Sequence, residues 1–346
     1  MPRLRRTAPD QPGWTRRRAG RGFAYLDERG VRLPREDVVR VRALVIPPAW
    51  SDVWICPDPE GHLQAVGTDD AGRRQYLYHP RWRERQDRRK HERALDLAQV
   101  LPAARERVDA DLRRRRLTPE RVLAAGFRLL DLGALRIGGE RYARENGTYG
   151  LVTLRREHVA IQGRRVRVGF VGKAGKEQLL DLDDPALRRA ARDLLGRDDP
   201  DDRLLAWHDG ERWHPVSGRD VNAYVQLVTG LGVSAKDLRT LRATVVAAAA
   251  LGSVGEVPPG RAARRRLVAA AVREVAEHLG NTPAVARTSY VDPRVLDAVL
   301  DGEAVPVPPL GAGDLPAVMR CEAALVSWLR PAAPGAPPGR PLPRRR

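Results

Sequence analysis

The spacing of apolar positions changes along the chain and divides it into regions. Between residues 21 and 80, short apolar patches at 22–26, 38–46, 53–56 and 62–66 carry the β-branched and aromatic residues that suit strands. Asp27 to Gly30, Pro47-Pro48 and Pro57 to Gly61 are the turns between them. From about residue 93 the period becomes helical. Thr118-Pro119-Glu120 predicts a helix start with proline in the first turn, running to about Leu130, and Asp184-Pro185, Thr282-Pro283 and Asp292-Pro293 repeat that signal. Gly280 predicts the stop of a helix over roughly 261–279. Within the helical part, residues 150–154, 165–171 and 178–182 predict a three-stranded meander, with Gly172-Lys173-Ala174-Gly175 as its second hairpin turn.

The expected architecture is α+β: a disordered basic arm over 1–20, a small antiparallel β domain over 21–80, a basic linker over 81–92, a mainly helical domain over 93–330 and an unstructured Pro/Arg tail over 331–346. No internal repeat is evident.

Composition narrows the function classes. No apolar run approaches the roughly 20 residues that span a bilayer, and the first residues lack the apolar stretch of a secretory signal. Cys56 and Cys321 lie far apart and offer neither a disulfide framework nor a metal site, and the seven His are scattered; a reduced, cytoplasmic setting without metal is expected. The net charge of +18 points to nucleic acid, because neutralising phosphates releases counterions. Of 62 Lys and Arg only four are Lys: Lys90, Lys173, Lys176 and Lys236. Arg stays charged at any accessible pH whereas a Lys ammonium can give up a proton, so a Lys in so Arg-biased a chain is a candidate for proton chemistry.

Four positions could act together on a phosphate. Arg136 stands beside Gly138-Gly139, where backbone can approach a ligand; Lys173 occupies a hairpin tip; Arg239 lies on a helix starting near Lys236; and Tyr290 ends a short helix. Two Arg to clamp non-bridging oxygens, a Lys to protonate a leaving oxygen and a Tyr nucleophile make a complete phosphoryl-transfer set. Singly, each has a blander reading. A lone Arg is more often a solvated charge, a hairpin Lys is usually turn chemistry, and one Tyr of seven is more often packing.

Taken in order, the motifs are more specific. Leu135-Arg136-Ile137-Gly138, Asn146-Gly147-Thr148-Tyr149-Gly150, Phe170-Val171-Gly172-Lys173, Lys236-Asp237-Leu238-Arg239-Thr240, Leu279-Gly280-Asn281-Thr282-Pro283 and Ser289-Tyr290 together resemble type IB DNA topoisomerases of the compact bacterial and poxvirus kind. Ile46-Pro47-Pro48-Ala49-Trp50 and Gly72-Arg73-Arg74-Gln75-Tyr76-Leu77-Tyr78 match as well, so the resemblance covers about residues 20 to 330. It implies that residues 93–330 are the catalytic domain and that Tyr290 forms a 3′-phosphotyrosyl link. It further implies that Arg136 and Arg239 stabilise the transition state and that Lys173 protonates the departing 5′ oxygen. Supercoils would be relaxed by strand rotation and religation without ATP, cofactor or metal. The family's usual His before Thr-Pro is replaced by Asn281, which can donate a hydrogen bond but carries no charge. Asn281 is expected to orient the phosphate, the plainer alternative being a turn residue before Thr282-Pro283. His278 is expected in a surface or packing role. The resemblance also places Gln75, Tyr76, Tyr78 and Tyr142 against duplex DNA, which a monomer would clamp between its domains at the nucleoid.

Two rivals stand beside this reading. Tyrosine recombinases share the Arg, Lys, Arg, Tyr chemistry but usually carry His where this chain has Lys236, and their N-terminal domain is helical. A basic DNA-compaction protein would explain the charge but not the ordered series of reactive types.

Overall fold

The computed structural model describes residues 3–310 and 315–331. The expected tail over 331–346 lies, from residue 332 on, outside the described residues. The architecture is α+β, and the chain divides into two compact units, Met1–Arg89 and Lys90–Arg346.

The first unit is built on a five-stranded antiparallel sheet. Its elements are β1 (Trp14–Ala19), β2 (Gly22–Leu26), α1 (Arg35–Ala43), β3 (Ser51–Ile55), β4 (Leu63–Thr68) and β5 (Arg74–Tyr78), and the strand order is β2-β1-β3-β4-β5. Leu33, Val41, Ile46, Val53, Ile55 and Ala65 form its core. Two expectations fail here. Residues 14–19 were expected in a disordered arm but form β1, paired with β2 from Thr15 to Ala19; the Arg16 guanidinium carbon lies 4.1 Å from the Phe23 ring centroid. Arg5 also pairs its backbone with Glu60 and His62. Residues 38–46 were expected as a strand but contribute to α1. The β-branched Val38, Val39 and Val41 imitate a strand, yet acidic Glu36 and Asp37 in the first turn and basic Arg40 and Arg42 in the last complement the helix dipole. Pro34 stands at the N-cap, and Val41, with Val38 partly buried beside it, packs the helix on the core.

The expected linker over 81–92 is helical, because α2 runs unbroken from Pro80–Leu112. Arg, Glu, Gln and Lys are good helix formers, so a charged stretch need not be a loop.

The second unit contains α3 (Pro119–Gly133), α4 (Glu140–Asn146), the meander β6 (Val159–Gln162), β7 (Arg165–Val171) and β8 (Glu177–Leu182), and α5 (Pro185–Leu195). After these come a hairpin of β9 (Ala206–His208) and β10 (Trp213–Pro215), α6 (Gly218–Thr229), α7 (Ala235–Gly252), α8 (Arg261–Leu279), α9 (Pro283–Ser289), α10 (Pro293–Asp301) and α11 (Leu315–Leu329). The proline-led starts hold: Thr118, Asp184 and Thr282 each accept a hydrogen bond from a backbone N–H of the first turn, and Asp292 does so from Arg294. α7 is buried nearly all round and is the axis on which the other helices pack.

The meander's first strand is not residues 150–154. Leu151–Thr153 is a single 3-10 turn, and β6 takes the strand position. The cause is a close approach of two glycines. A Cβ at Gly138, whose φ is +84°, would lie 2.9 Å from the Gly150 Cα, and one at Gly150 would lie 2.6 Å from Gly138. Leu151 and Val152 then donate their N–H groups to the Arg136 and Ile137 carbonyls at 2.8 and 2.9 Å instead of to a sheet. Both cysteines are buried free thiols. Among the described residues no helix is long and apolar enough to cross a membrane.

Candidate active site

The site forms where three chain turns meet the start of α7. The first turn follows α3: Ala134 adopts a left-handed φ of 47° at the C-cap, and the chain passes through Arg136 before the Gly138–Gly150 contact locks it. The second is the C-cap of α8, where Gly280 (φ 60°) delivers Asn281. The third is the end of α9, where Tyr290 caps the helix. Thr244 of α7 holds this last turn through its hydroxyl, which accepts from the Asp292 N–H at 3.1 Å and donates to the Thr240 carbonyl at 3.0 Å.

Arg136, Arg239, Lys236 and Tyr290 line one cavity of about 230 Å³, with Asn222 and Ser234 at its edge. Arg239 is 4% exposed and donates to the carbonyls of Ala134 and, at 3.0 Å, Leu279. Its Nε is buried without a partner. Among the described residues neither Arg136 nor Arg239 forms a salt bridge, so two guanidiniums share the cavity with no counterion. Burial, and then the positive charge of Arg136, lower the Arg239 guanidinium to about 10, which leaves it charged at neutral pH. Burial lowers Arg136 as well.

The Arg239 guanidinium carbon lies 5.3 Å from the Tyr290 ring centroid. Burial alone would push the phenol up. The positive charges of Arg239, Arg136 and Lys236 outweigh it and bring the phenol below its ordinary value. Lys236 therefore acts on Tyr290 as a nearby charge, a role its motif did not reveal because it depends on where α9 ends.

Asn281 is 7% exposed, and its Oδ1 accepts from Arg136 Nη2. A guanidinium only donates, so this bond fixes which way the amide faces. Nδ2 is left buried and unpartnered. Thr282, not Asn281, caps α9, and Asn281 stands in the turn just before it. His278 sits one turn earlier on α8. Part of the residue is exposed, but its Nε2 is buried without a partner, and it is this nitrogen that senses the interior. Burial, then Arg242 and Arg239, lower the imidazole to about 4.

Lys173 stands apart. It lies on the exposed turn between β7 and β8 and, among the described residues, makes no hydrogen bond or ion pair. Tyr76 and Tyr78 project from one face of the edge strand β5, 48% and 39% exposed, with ring centroids 6.3 Å apart and nearly parallel. Gln75 lies on the opposite face and donates to Asp69 at 2.8 Å. Tyr142 is exposed on α4.

Comparison with known proteins agrees with this arrangement. Residues 79–299 match the model of the eukaryotic DNA topoisomerase I catalytic core, and residues 22–69 match that of the bacterial DNA topoisomerase IB N-terminal domain. The chain is 30% identical to the DNA topoisomerase 1B of Acanthamoeba polyphaga mimivirus over 287 residues, covering 81% of this chain and 85% of that protein. It is 25% identical to the DNA topoisomerase 1 of Rabbit fibroma virus, covering 67% and 70%, and 22% identical to the DNA topoisomerase 1B of Vaccinia virus (strain Copenhagen), covering 68% and 72%. An unneutralised pair of guanidiniums around a tyrosine, within a matched catalytic core and behind a matched N-terminal domain, makes this chain a member of the type IB DNA topoisomerase family.

Proposed function

We propose that the chain relaxes supercoiled duplex DNA through a covalent 3′-phosphotyrosyl intermediate on Tyr290. The observation that carries this reading is the cavity in which Arg136 and Arg239 meet Tyr290 with, among the described residues, no carboxylate to neutralise them. A phosphodiester brought there supplies the missing negative charge. Tyr290 gives its proton to water, and the phenolate oxygen attacks phosphorus. The bond to the 5′ oxygen breaks, and that oxygen takes a proton from the Lys173 ammonium. Arg136, Arg239 and the Asn281 Nδ2 donor hold the non-bridging oxygens as charge builds on them. Rotation about the intact strand releases superhelical strain, and the same steps reversed reseal the nick. The phosphotyrosyl bond conserves the energy of the broken diester, so neither ATP nor metal is needed. Tyr76, Tyr78 and Tyr142 offer exposed aromatic faces to the duplex, and the protein works as a monomer on nucleoid DNA.

Plasmid relaxation in EDTA without ATP tests this. The parent chain relaxes the plasmid and leaves a protein–DNA adduct at a 3′ end when trapped, and Tyr290→Phe does neither. Relaxation by Tyr290→Phe at the parent rate would refute the assignment.

A further inference from the structure

Lys173 needs a position in space, yet among the described residues its side chain makes no hydrogen bond or ion pair, and its turn passes through left-handed backbone at Ala174 (φ 64°) and Gly175 (φ 71°). The same turn carries a second Lys. Gly172 closes the turn by donating its N–H to the Lys176 carbonyl at 2.7 Å, so Lys176 is its C-terminal post. From that post the Lys176 ammonium crosses to the α8–α9 junction and donates to the Asn281 main-chain carbonyl at 2.5 Å. Beside it Gln178 packs on Gly280 so closely that a Cβ there would lie 2.3 Å from Gln178 Nε2. A further cavity of about 520 Å³ is bounded by Lys176, Gln178, Arg273, Gly280 and Asn281 and leaves this crossing open to solvent on one side.

Asn281 is thus held at both ends. Its side-chain Oδ1 is bound by Arg136 and its main-chain oxygen by Lys176. We propose that Lys176 is a positioning residue that latches the Lys173 hairpin to the phosphate-binding turn at Asn281. One carbonyl needs one donor, which an ammonium on a flexible stem supplies and a guanidinium can also supply. Hydrogen bonds to charged donors are among the stronger ones, but the Lys176 stem is exposed, so the latch can release and re-form as DNA enters. Lys176 itself touches no reacting atom. Its effect on catalysis passes through Lys173, and so rests on the general-acid reading above.

The test compares the parent with Lys173→Ala, Lys176→Met and Lys176→Arg in single-turnover cleavage of two duplexes. One has the ordinary 5′ oxygen as leaving atom, and the other has sulfur, which departs without a proton. Lys176→Met should cleave the oxygen duplex about 10- to 100-fold slower, the range expected when a catalytic group is misplaced by an ångström or so. The sulfur duplex should bring it to within a few-fold of the parent, and Lys176→Arg should recover much of the rate on oxygen. Parent-like cleavage of the oxygen duplex by Lys176→Met, or equal slowness on both duplexes while sulfur rescues Lys173→Ala, would overturn the latch. Failure of sulfur to rescue Lys173→Ala would instead overturn the general-acid reading. In that event amide hydrogen exchange of the DNA-free protein decides the latch: faster exchange over residues 171–176 in Lys176→Met supports it, and unchanged exchange refutes it.

Discussion

Arg239 and Arg242 stand one turn apart on α7, each 4% exposed, yet they live in opposite electrostatic settings. Arg242 donates to the Asp131 carbonyl and lies 3.8 Å from the Asp131 carboxylate. That carboxylate also takes two bonds from Arg105, both at 2.8 Å, and Arg105 reaches Glu322 at 2.6 and 2.9 Å. Two cations and two anions balance, and every group in the cluster is at most 5% exposed on its side chain. Burial would raise the Asp131 carboxyl, but Arg105, Arg242 and Arg128 hold it below its ordinary value. One turn back along the helix, Arg239, with Arg136 from the turn after α3, has carbonyls but, among the described residues, no carboxylate. A buried, unpaired charge costs stability, and a protein keeps one where a ligand is to supply the counter-charge. The first cluster is balanced in the free protein; the second is not, and in the proposed reaction the phosphodiester balances it.

The largest effect should come from exchanging the fates of these two clusters. Arg105→Met strands Asp131 and Glu322 without their main partner, and breaking a buried pair in this way costs about 3–5 kcal/mol. Urea unfolding should show that loss, while the folded fraction still relaxes plasmid. Arg239→Ala should do the reverse. Cleavage falls by about 10²–10³, the cost of removing one donor to a developing oxyanion, while the loss of stability is smaller than in Arg105→Met, because the desolvated charge leaves with the side chain and no anion is stranded. Its pH profile should also move up, since the phenol loses the charge that most opposes its burial. If Arg239→Ala unfolds as easily as Arg105→Met, the two clusters do not differ in kind.

How much of this was written in the sequence follows the range of the forces involved. Proline-led helix starts and the β7–β8 hairpin were legible because their signals are local. Helix α1 and strand β1 were misread because valines in a charged nonamer and arginines in a six-residue segment point the wrong way until tertiary packing decides. Residues 150–154 read as a strand because their own apolar pattern does not show the Gly138–Gly150 contact that bends them. Ordered motifs pointed to Arg136, Arg239, Asn281 and Tyr290, and the structure brings those four together while leaving Lys173 on its exposed turn. Nothing in the sequence paired Lys176 with the Asn281 carbonyl or put Lys236 beside Tyr290, because both depend on where separate turns arrive.

His278, near the end of α8, feels the charge of both clusters through Arg242 and Arg239. Its folded pKa of about 4 is below the unfolded value, so the unfolded chain takes up the extra proton first as pH falls. The stability it contributes is complete above about pH 6.5 and is lost as pH drops toward 4, up to about 3 kcal/mol in all. His278→Leu should be less sensitive to acid over that window, and urea unfolding at pH 7 and pH 5 measures the difference. Parallel losses in parent and variant would show that the imidazole charges freely, and that the two clusters do not confine it.

The smallest change in stability should come from giving the unbalanced cluster the counter-charge it lacks. Asn281→Asp keeps the oxygen that faces Arg136 and replaces the unpartnered Nδ2 donor with a second oxygen. The new carboxylate sits beside a guanidinium that now has no anionic partner, so the folded state should gain about 1 kcal/mol, a rise in Tm of a few degrees. Cleavage should fall about tenfold or more, for two reasons with separate signatures. A phosphodiester meets a site already neutralised, which weakens DNA binding and makes it less dependent on salt. Tyr290 also loses part of the positive field that lowers its phenol, which moves the pH of half-maximal cleavage upward. A variant that melts earlier than the parent would mean that the carboxylate does not reach the guanidiniums. A variant that melts later and cleaves at the parent rate would mean that the missing counter-charge is not what draws the phosphate in.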